Sequence, residues 1–437
     1  MSSDIPAVET LQWEELREIQ IENFREQARR LERTCEYYRK RFADTDIDAI
    51  RKPEDLSSVK LLSKDDIRQS QQESPPLGWH ACGSFEEVIQ TQASSGTTGR
   101  PTYVGVSPDD QQQWNETLAE VFRTTGMSPG ESCIHAFGLS KGFVGGIPVV
   151  QGLEKLGVNV IPIGAEPGAK RLLNVIDHLN PENLVATPNF ARYLGKQSPK
   201  VVGKPASELS IERIACGGEP GLNAMREELA ELWDARIMQI MGATEIAPAY
   251  FGECEYQNLH LVRPDLYLPE ILDPNTKEPL QWEEGTTGEL VMTTLAREIT
   301  PMIRYQLGDI VTVDETDCKC GRTMPSLTCH GRTDEMLIVR GVNVFPSALQ
   351  DVVTNSTLPL TGHFRIRKTF EGHSTENRLE LLVEHKPNPE LASDEIRESL
   401  SNELQSQLGV STEIDMIPPQ TITRPDADEK VSLIIEE

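Results

Sequence analysis

An α/β fold class is predicted for this chain: a large N-terminal domain of mixed and parallel sheets bearing a β-rich subdomain, then a small α+β C-terminal domain. Three observations predict it. Between about 114 and 250, helical stretches such as 114–125 and 225–233 alternate with short apolar runs, the pattern of βαβ units. Over 266–313 the pattern becomes short alternating runs separated by Asp-Pro and Gly-rich turns. After Gly331-Arg332 it changes again, with a strand expected at 378–384 and a helix at 393–408. The domains are therefore expected at 1–332 and 333–437, with the β-rich part at about 254–330.

Taken in order, the first element is one long amphipathic helix. Phe24, Ala28, Leu31, Cys35, Tyr38 and Phe42 recur at alternating four- and three-residue steps between charged residues, which marks a packing face. Segments 86–92 and 103–106 read as short strands. The apolar runs 158–163, 184–187 and 237–241 read as strands of a largely parallel sheet. Ligands in such sheets sit beyond the carboxyl ends of the strands, where residues 242–245 fall. The run 289–294 is a strand of the β-rich part.

Composition excludes some functions. The 437 residues carry a formal charge of -27, and Coulomb repulsion argues against binding DNA, RNA or anionic lipid. The first ten residues lack a basic region and an apolar core, and no run of 18 apolar residues occurs, so neither a secretory signal nor a membrane span is expected. The expected address is cytoplasmic, where the eight cysteines serve as thiols or metal ligands. Cys254-x5-His260 and Cys318-Lys-Cys320 together supply four ligands suited to a structural tetrahedral Zn²⁺, with Cys329 in reserve. Cys35, Cys133 and Cys216 read as core thiols.

Between the strands at 86–92 and 103–106 lies Ser94-Ser95-Gly96-Thr97-Thr98-Gly99-Arg100-Pro101-Thr102. Its glycines let backbone N–H groups approach an anion, and its hydroxyls add donors without fixed charge, which suits a phosphate. The spacing is neither that of a Walker A loop nor that of a dinucleotide fingerprint. The loop therefore points to ATP chemistry of another kind.

Further segments follow in order: Gly217-Gly-Glu-Pro220, Gly242-Ala-Thr-Glu245, Ile303-Arg-Tyr-Gln-Leu-Gly-Asp309 and Gly331 through Pro346. With the loop, they make residues 10 to 437 resemble the phenylacetate-CoA ligase family of the adenylate-forming superfamily. The resemblance implies an adenylating N-terminal domain and a mobile C-terminal domain. It also implies a two-step reaction in which a carboxylic acid and ATP give an acyl-adenylate, whose acyl group passes to coenzyme A. A dimer is a family expectation.

The resemblance assigns roles residue by residue. Glu245 matches the Mg²⁺ ligand and Thr244 the α-phosphate hydroxyl. Asp309 matches the carboxylate that accepts from both ribose hydroxyls, a use suited to its paired oxygens, and Arg332 also reaches the nucleotide. Gly217, Gly218, Glu219 and Pro220 line the adenine with Gly242 and Ala243. Met241 stands where an aromatic residue is common. Asp334 matches the hinge, and Gly341 and Val342 the coenzyme A tunnel. Lys430 matches the lysine that bridges the acyl carboxylate and the α-phosphate, although Glu429 precedes it in place of glycine.

The acyl pocket is expected from Phe137, Lys141, Phe143, Ala243, Ile246 and Pro248. It suits an aromatic or aryl-acetic acid, and Lys141 suits an aromatic dicarboxylic acid. The same residues admit two other readings: an adenylate passed to an amine, a hydroxyl or a carrier-protein thiol, or a nucleotide-binding protein without catalysis.

Overall fold

The computed structural model describes residues 5–94, 101–140, 142–219, 221–314, 318–333, 336–340, 342–370, 374–387, 392–422 and 432–436. The chain opens with α1 (Trp13–Thr34) and α2 (Glu36–Arg41), which replace the single helix expected there. Cys35 breaks the helix by adopting an extended conformation (φ -126°, ψ 117°), yet Phe24, Ala28, Leu31, Cys35, Tyr38 and Phe42 all remain buried in one cluster. The burial pattern was correct, and it survives the break because the second segment packs on the same core.

Next comes α3 (Lys64–Glu73). Ser63 caps it, accepting from Asp66 N–H while Asp66 accepts from the Ser63 backbone, a reciprocal capping box. Residues 85–87 form a short turn, so the strand expected from 86 begins later, as β1 (Gln90–Ala93), paired antiparallel with β2 (Tyr103–Val106).

Alternating units follow: α4 (Pro108–Thr124), β3 (Ser132–His135), α5 (Ile147–Leu156), β4 (Asn159–Pro162), α6 (Gly168–Leu179), β5 (Asn183–Ala186), α7 (Pro188–Val201), β6 (Arg213–Cys216), α8 (Leu222–Trp233) and β7 (Arg236–Ala243). Helix starts here use local chemistry: Ser107 caps α4, Thr187 caps α7, and proline occupies an early position in both. Then come β8 (Ala247–Glu253), β9 (Leu259–Leu261), β10 (Tyr267–Leu272), β11 (Thr287–Thr294), β12 (Tyr305–Val313) and β13 (Leu327–Arg332).

Among the described residues, these strands form one eleven-stranded sheet ordered β10-β11-β12-β13-β9-β8-β7-β6-β5-β3-β4. From β7 to β4 the pairs are parallel, and from β7 to β10 they are antiparallel. The strands expected as a separate β-rich subdomain are therefore the antiparallel wing of the same sheet. The β7–β8 hairpin joins the wings, and the long-range pairing of β13 with β9 closes the antiparallel one, a contact that alternation within each strand does not encode.

The remainder comprises β14 (Leu337–Val339), β15 (Val342–Val344), α9 (Pro346–Asn355), β16 (Leu360–Lys368), β17 (Ser374–Thr375), β18 (Leu379–His385), α10 (Ser393–Leu408), β19 (Thr412–Ile417) and β20 (Ile434–Glu436). They form a three-stranded sheet β15-β14-β17 and a four-stranded sheet β19-β18-β16-β20 around a core of their own, with Phe364, Leu381 and Leu400 at its centre. This unit touches the large sheet's helices through α9. A Cβ on Gly221 would come within 2.5 Å of Gln350 Oε1, and Asp351 accepts from the backbone N–H of Ala224. Among the described residues, no helix is long and apolar enough to cross a membrane.

Candidate active site

The tight turn between β7 and β8 presents Thr244 and Glu245. Ala243 and Ala247 are opposed across the hairpin, and Ile246 N–H donates to the Ala243 carbonyl at 2.9 Å. Gly242 is required here, because a Cβ would lie 2.1 Å from the Pro248 carbonyl oxygen. From below, Trp114 Nε1 and Arg297 Nη1 donate to the Ile246 carbonyl at 3.2 and 3.0 Å. The turn is thus pinned, and Thr244 and Glu245 are both buried.

Three elements converge on the Glu245 carboxylate. The Thr102 hydroxyl donates to Oε1 at 2.8 Å, and Lys64 Nζ at the start of α3 lies 3.5 Å from the same oxygen. Tyr305 on β12 faces the same carboxylate: burial first, then the Glu245 charge, pushes this phenol well above its ordinary range. Thr102 in turn closes the hydroxyl-rich loop. Its N–H donates to Ser94 Oγ and Ser94 N–H donates to its carbonyl, both at 2.9 Å. Lys64, Thr102 and Tyr305 were missed by sequence reasoning as partners of Glu245. Thr102 was visible as the end of the loop, and Lys64 as a cation in the first helical turn, where the helix dipole favours anions.

Asp309 and Arg332 are directly opposed on β12 and β13. Arg332 Nη1 donates to the Leu307 carbonyl at 2.8 Å and stands 3.8 Å from Asp309 Oδ1. Tyr250 on β8 lies beneath both acids: burial first, then the charges of Asp309 and Glu245, push its phenol well up. Tyr250 thus feels both Glu245 and Asp309, and Arg332 stands beside Asp309.

Gly217 and Gly218 follow β6. A Cβ on Gly217 would lie 2.8 Å from the Ile240 carbonyl oxygen, and Gly218 has φ +81°, so both positions need glycine. Glu219 accepts from Asn189 Nδ2 at 2.8 Å. Met241 is half-buried against the same core as Ala243 and Phe143.

The residues expected to form an acyl pocket separate. Phe143 packs against the same core as Ala243 and Met241, and a Cβ on Gly145 would lie 2.2 Å from its ring. Ala93 N–H donates to the Gly142 carbonyl at 2.8 Å, which zips this loop to β1. Glu166 accepts from Leu139 and Ser140 N–H at 2.6 and 2.7 Å; burial opposes its ionisation, but these bonds outweigh it and hold the carboxyl below its usual range. Phe137 instead belongs to the core between α4 and α5 and meets the His135 ring edge-on. Ile246 has no accessible surface, so it supports the turn rather than lining an open wall. Pro248 packs its backbone on Gly242. Ser95, Gly96, Thr97, Thr98, Gly99, Lys141, Pro220, Asp334, Gly341 and Lys430 lie outside the described residues; Val342 begins β15.

At the far end of β8, Cys254, His260, Cys318 and Cys320 place one ligand atom each within 4.8 Å of one another. Cys254 and Cys318 Sγ are 3.6 Å apart, and Cys320 Sγ is 3.5 Å from His260 Nε2. A tetrahedron with metal–sulfur bonds of about 2.3 Å has sulfur–sulfur edges of about 3.8 Å, so the donor set fits Zn²⁺. Asn258 Nδ2 donates to Cys318 Sγ at 3.2 Å and Arg322 Nη1 to Cys320 Sγ at 3.8 Å, contacts that orient thiolates. Arg322 Nε also donates to Glu9 Oε2 at 2.7 Å. Cys329 sits in β13 opposite Val311, outside the cluster. Cys133 and Cys216 are core thiols, as expected.

Comparison with known proteins places this geometry. Residues 32–295 match the AMP-binding enzyme family and residues 341–437 match the AMP-binding enzyme C-terminal domain. The chain is 33% identical to the phenylacetate-coenzyme A ligase of Thermus thermophilus, over 95% of both chains. It is 30% identical to the phenylacetate-coenzyme A ligase of Escherichia coli, over 97% of this chain and 95% of that one. A solved structure of 2-hydroxyisobutyryl-CoA ligase in the postadenylation state superposes with a TM-score of 0.89 at 24% identity, covering 100% of this chain and 94% of that one, which establishes the fold.

Proposed function

As a member of the phenylacetate-CoA ligase family of adenylate-forming enzymes, the chain is an AMP-forming acyl-CoA ligase, and from that premise we propose that it activates an aromatic or aryl-acetic acid. One observation carries the substrate reading: the curated relatives matched over nearly the whole chain are phenylacetate-coenzyme A ligases. Phe143, Ala243 and Met241, each partly buried against one core, would offer apolar surface to such an acid.

The reaction has two displacements. A carboxylate oxygen of the acid attacks the α-phosphorus of ATP, the bond to the bridging oxygen breaks, and pyrophosphate leaves. The thiol of coenzyme A then attacks the acyl carbon and displaces AMP. In our reading Asp309 accepts from the ribose hydroxyls, Arg332 supports the nucleotide, and the Thr244 hydroxyl donates to the α-phosphate, where negative charge grows in the transition state. Mg²⁺ held at Glu245 would neutralise phosphate charge. Lys430 would supply a mobile cation in the first half-reaction, with a domain boundary at 333 and a hinge at Asp334 allowing the C-terminal unit to exchange roles between the two. Zn²⁺ at Cys254, His260, Cys318 and Cys320 would be structural, because protein atoms fill all four positions.

Pyrophosphate release from ATP and Mg²⁺ should be measured with a panel of aromatic mono- and dicarboxylic acids, with and without coenzyme A, identifying products by mass. Acid-dependent pyrophosphate with an aryl-CoA product is expected. Turnover confined to short aliphatic acids would overturn the substrate reading.

A further inference from the structure

We propose that Arg297 is a positioning residue for the first half-reaction: seated between Asp110 and the Trp114 ring, its guanidinium fixes the Ile246 carbonyl and, through it, the turn that presents Thr244 and Glu245. The proposal rests on the ligase reading above and adds to it a residue that acts through the backbone.

Three side chains on two elements make the frame. Asp110 and Trp114 stand four residues apart on α4, which brings them to one face of the helix, and Arg297 lies just beyond the end of β11. Asp110 joins the two elements: Oδ1 accepts from Glu298 N–H at 2.8 Å and Oδ2 from Ile299 N–H at 3.2 Å. The segment carrying Arg297 is thereby fastened to the first turn of α4. The guanidinium carbon of Arg297 then sits over the Trp114 ring, 4.4 Å from its centroid, with Nε 3.5 Å from Asp110 Oδ2. Trp114 Nε1 and Arg297 Nη1 both donate to one oxygen, the Ile246 carbonyl, at 3.2 and 3.0 Å.

Stability alone does not account for this arrangement. Arg297 is 3% exposed, yet its Nε and Nη2 have no hydrogen-bond partner among the described residues. A buried cation with two idle nitrogens gains little over an apolar side chain of its size. The bond that its guanidinium does make goes to the backbone of the turn. Local costs of this kind concentrate where function requires them. Within the turn, Ile246 N–H donates to the Ala243 carbonyl, so the two outer donors hold the other face of the same peptide-linked residue and limit how far Glu245 can move. A metal ligand whose support is loosened loses affinity, typically by about 10- to 100-fold.

Two readouts on Arg297→Met, Arg297→Lys, Trp114→Phe and the double variant Arg297→Met/Trp114→Phe test the assignment. Hydrogen exchange followed by mass spectrometry reports the turn without requiring turnover: Arg297→Met should speed exchange in peptides spanning 243–250 about tenfold or more relative to those spanning 183–186 in β5. In pyrophosphate release, the Mg²⁺ concentration for half-maximal rate should rise about tenfold and kcat per folded molecule should fall by a similar factor, while KM for the acid stays within about threefold. Arg297→Lys, which keeps a charged donor, should recover part of both losses. Trp114→Phe keeps the ring and removes the second donor, so its effect should be smaller. Because both donors serve one oxygen, the double variant should depart from the product of the single effects by about threefold or more. Unchanged exchange and Mg²⁺ dependence in Arg297→Met, a lowered Tm without either change, or a double variant equal to the product would each overturn the assignment. If Arg297→Met does not fold, Trp114→Phe must still loosen the turn relative to β5, and an unchanged turn overturns the proposal. Absence of turnover in wild type across the acid panel would instead overturn the ligase reading, while faster exchange in Arg297→Met would still support the fixing of the turn.

Discussion

The two ends of β8 carry two polar clusters built on opposite plans. Before its first residue stands Glu245, and after its last stands Cys254, so a strand of seven residues, roughly 24 Å long, separates them. At the cysteine end four donors of the protein face one another, and Asn258 and Arg322 complete the sulfurs' hydrogen bonding. At the glutamate end a buried carboxylate accepts from Thr102 and lies 3.5 Å from the partly exposed Lys64. The comparison teaches how a static structure distinguishes holding from reacting. A closed donor set specifies a fold, whereas an acid with a partly exposed partner leaves room for a ligand.

The comparison breaks most readily at Glu245. Glu245→Gln keeps the shape and removes the charge, so pyrophosphate release should fall about 10²–10³-fold, in the range for loss of a group that stabilises transition-state charge. Activity within tenfold of wild type would show that the acid is structural. A smaller loss is expected from Asp309→Ala, which should weaken ATP and AMP alike by about 10- to 100-fold, as two ribose contacts to a charged acceptor disappear. Calorimetry with both nucleotides checks this, and unequal weakening would remove Asp309 from the ribose.

At the closed end, Cys318→Ser should release one bound zinc per chain by elemental analysis. It should lower Tm by roughly 6–12 °C, taking about 3 kcal/mol and about 2–4 °C per kcal/mol for a domain of this size. The folded fraction should retain its kcat within a few-fold. A catalytic collapse without a change in Tm would invert the comparison.

The smallest effect is expected at a contact belonging to neither end. Asp351 on α9 accepts from Ala224 N–H at the start of α8, but burial, the larger influence, pushes its carboxyl up to about 6. A carboxyl raised on folding favours the protonated folded state, so its contribution is full below the ordinary value near 4 and is lost as pH rises towards 6. The Tm of wild type should therefore fall slightly relative to that of Asp351→Asn between pH 4 and 6.5. Parallel Tm profiles would exclude the contact.

What the sequence encoded locally proved readable. α10 spans 393–408 as expected, and the apolar runs at 184–187 and 237–241 are buried strands of the parallel wing. The cluster of Cys254, His260, Cys318 and Cys320 was identifiable because few residue types can bind zinc, whatever their separation. The break at Cys35 was not visible, since neither glycine nor proline marks it. The return of β13 to lie between β12 and β9 was hidden because that pairing lies in tertiary register, and Phe137 and Phe143 looked equivalent until the fold sent them to different cores. For the same reason Glu245 was legible and its partners Lys64 and Tyr305 were not: each approaches from a separate element.

The bond from Arg322 to Glu9 spans 313 residues. On a ribosome extending the chain by about 5–20 residues per second, Glu9 emerges roughly 15–60 s before its partner exists. The first turn of the protein must therefore wait, docked elsewhere or solvated, until the cysteine knuckle beside Arg322 has been synthesised. Fastening of the amino terminus is thus a late event in biogenesis, coupled in time to the assembly of the Cys254, His260, Cys318 and Cys320 cluster.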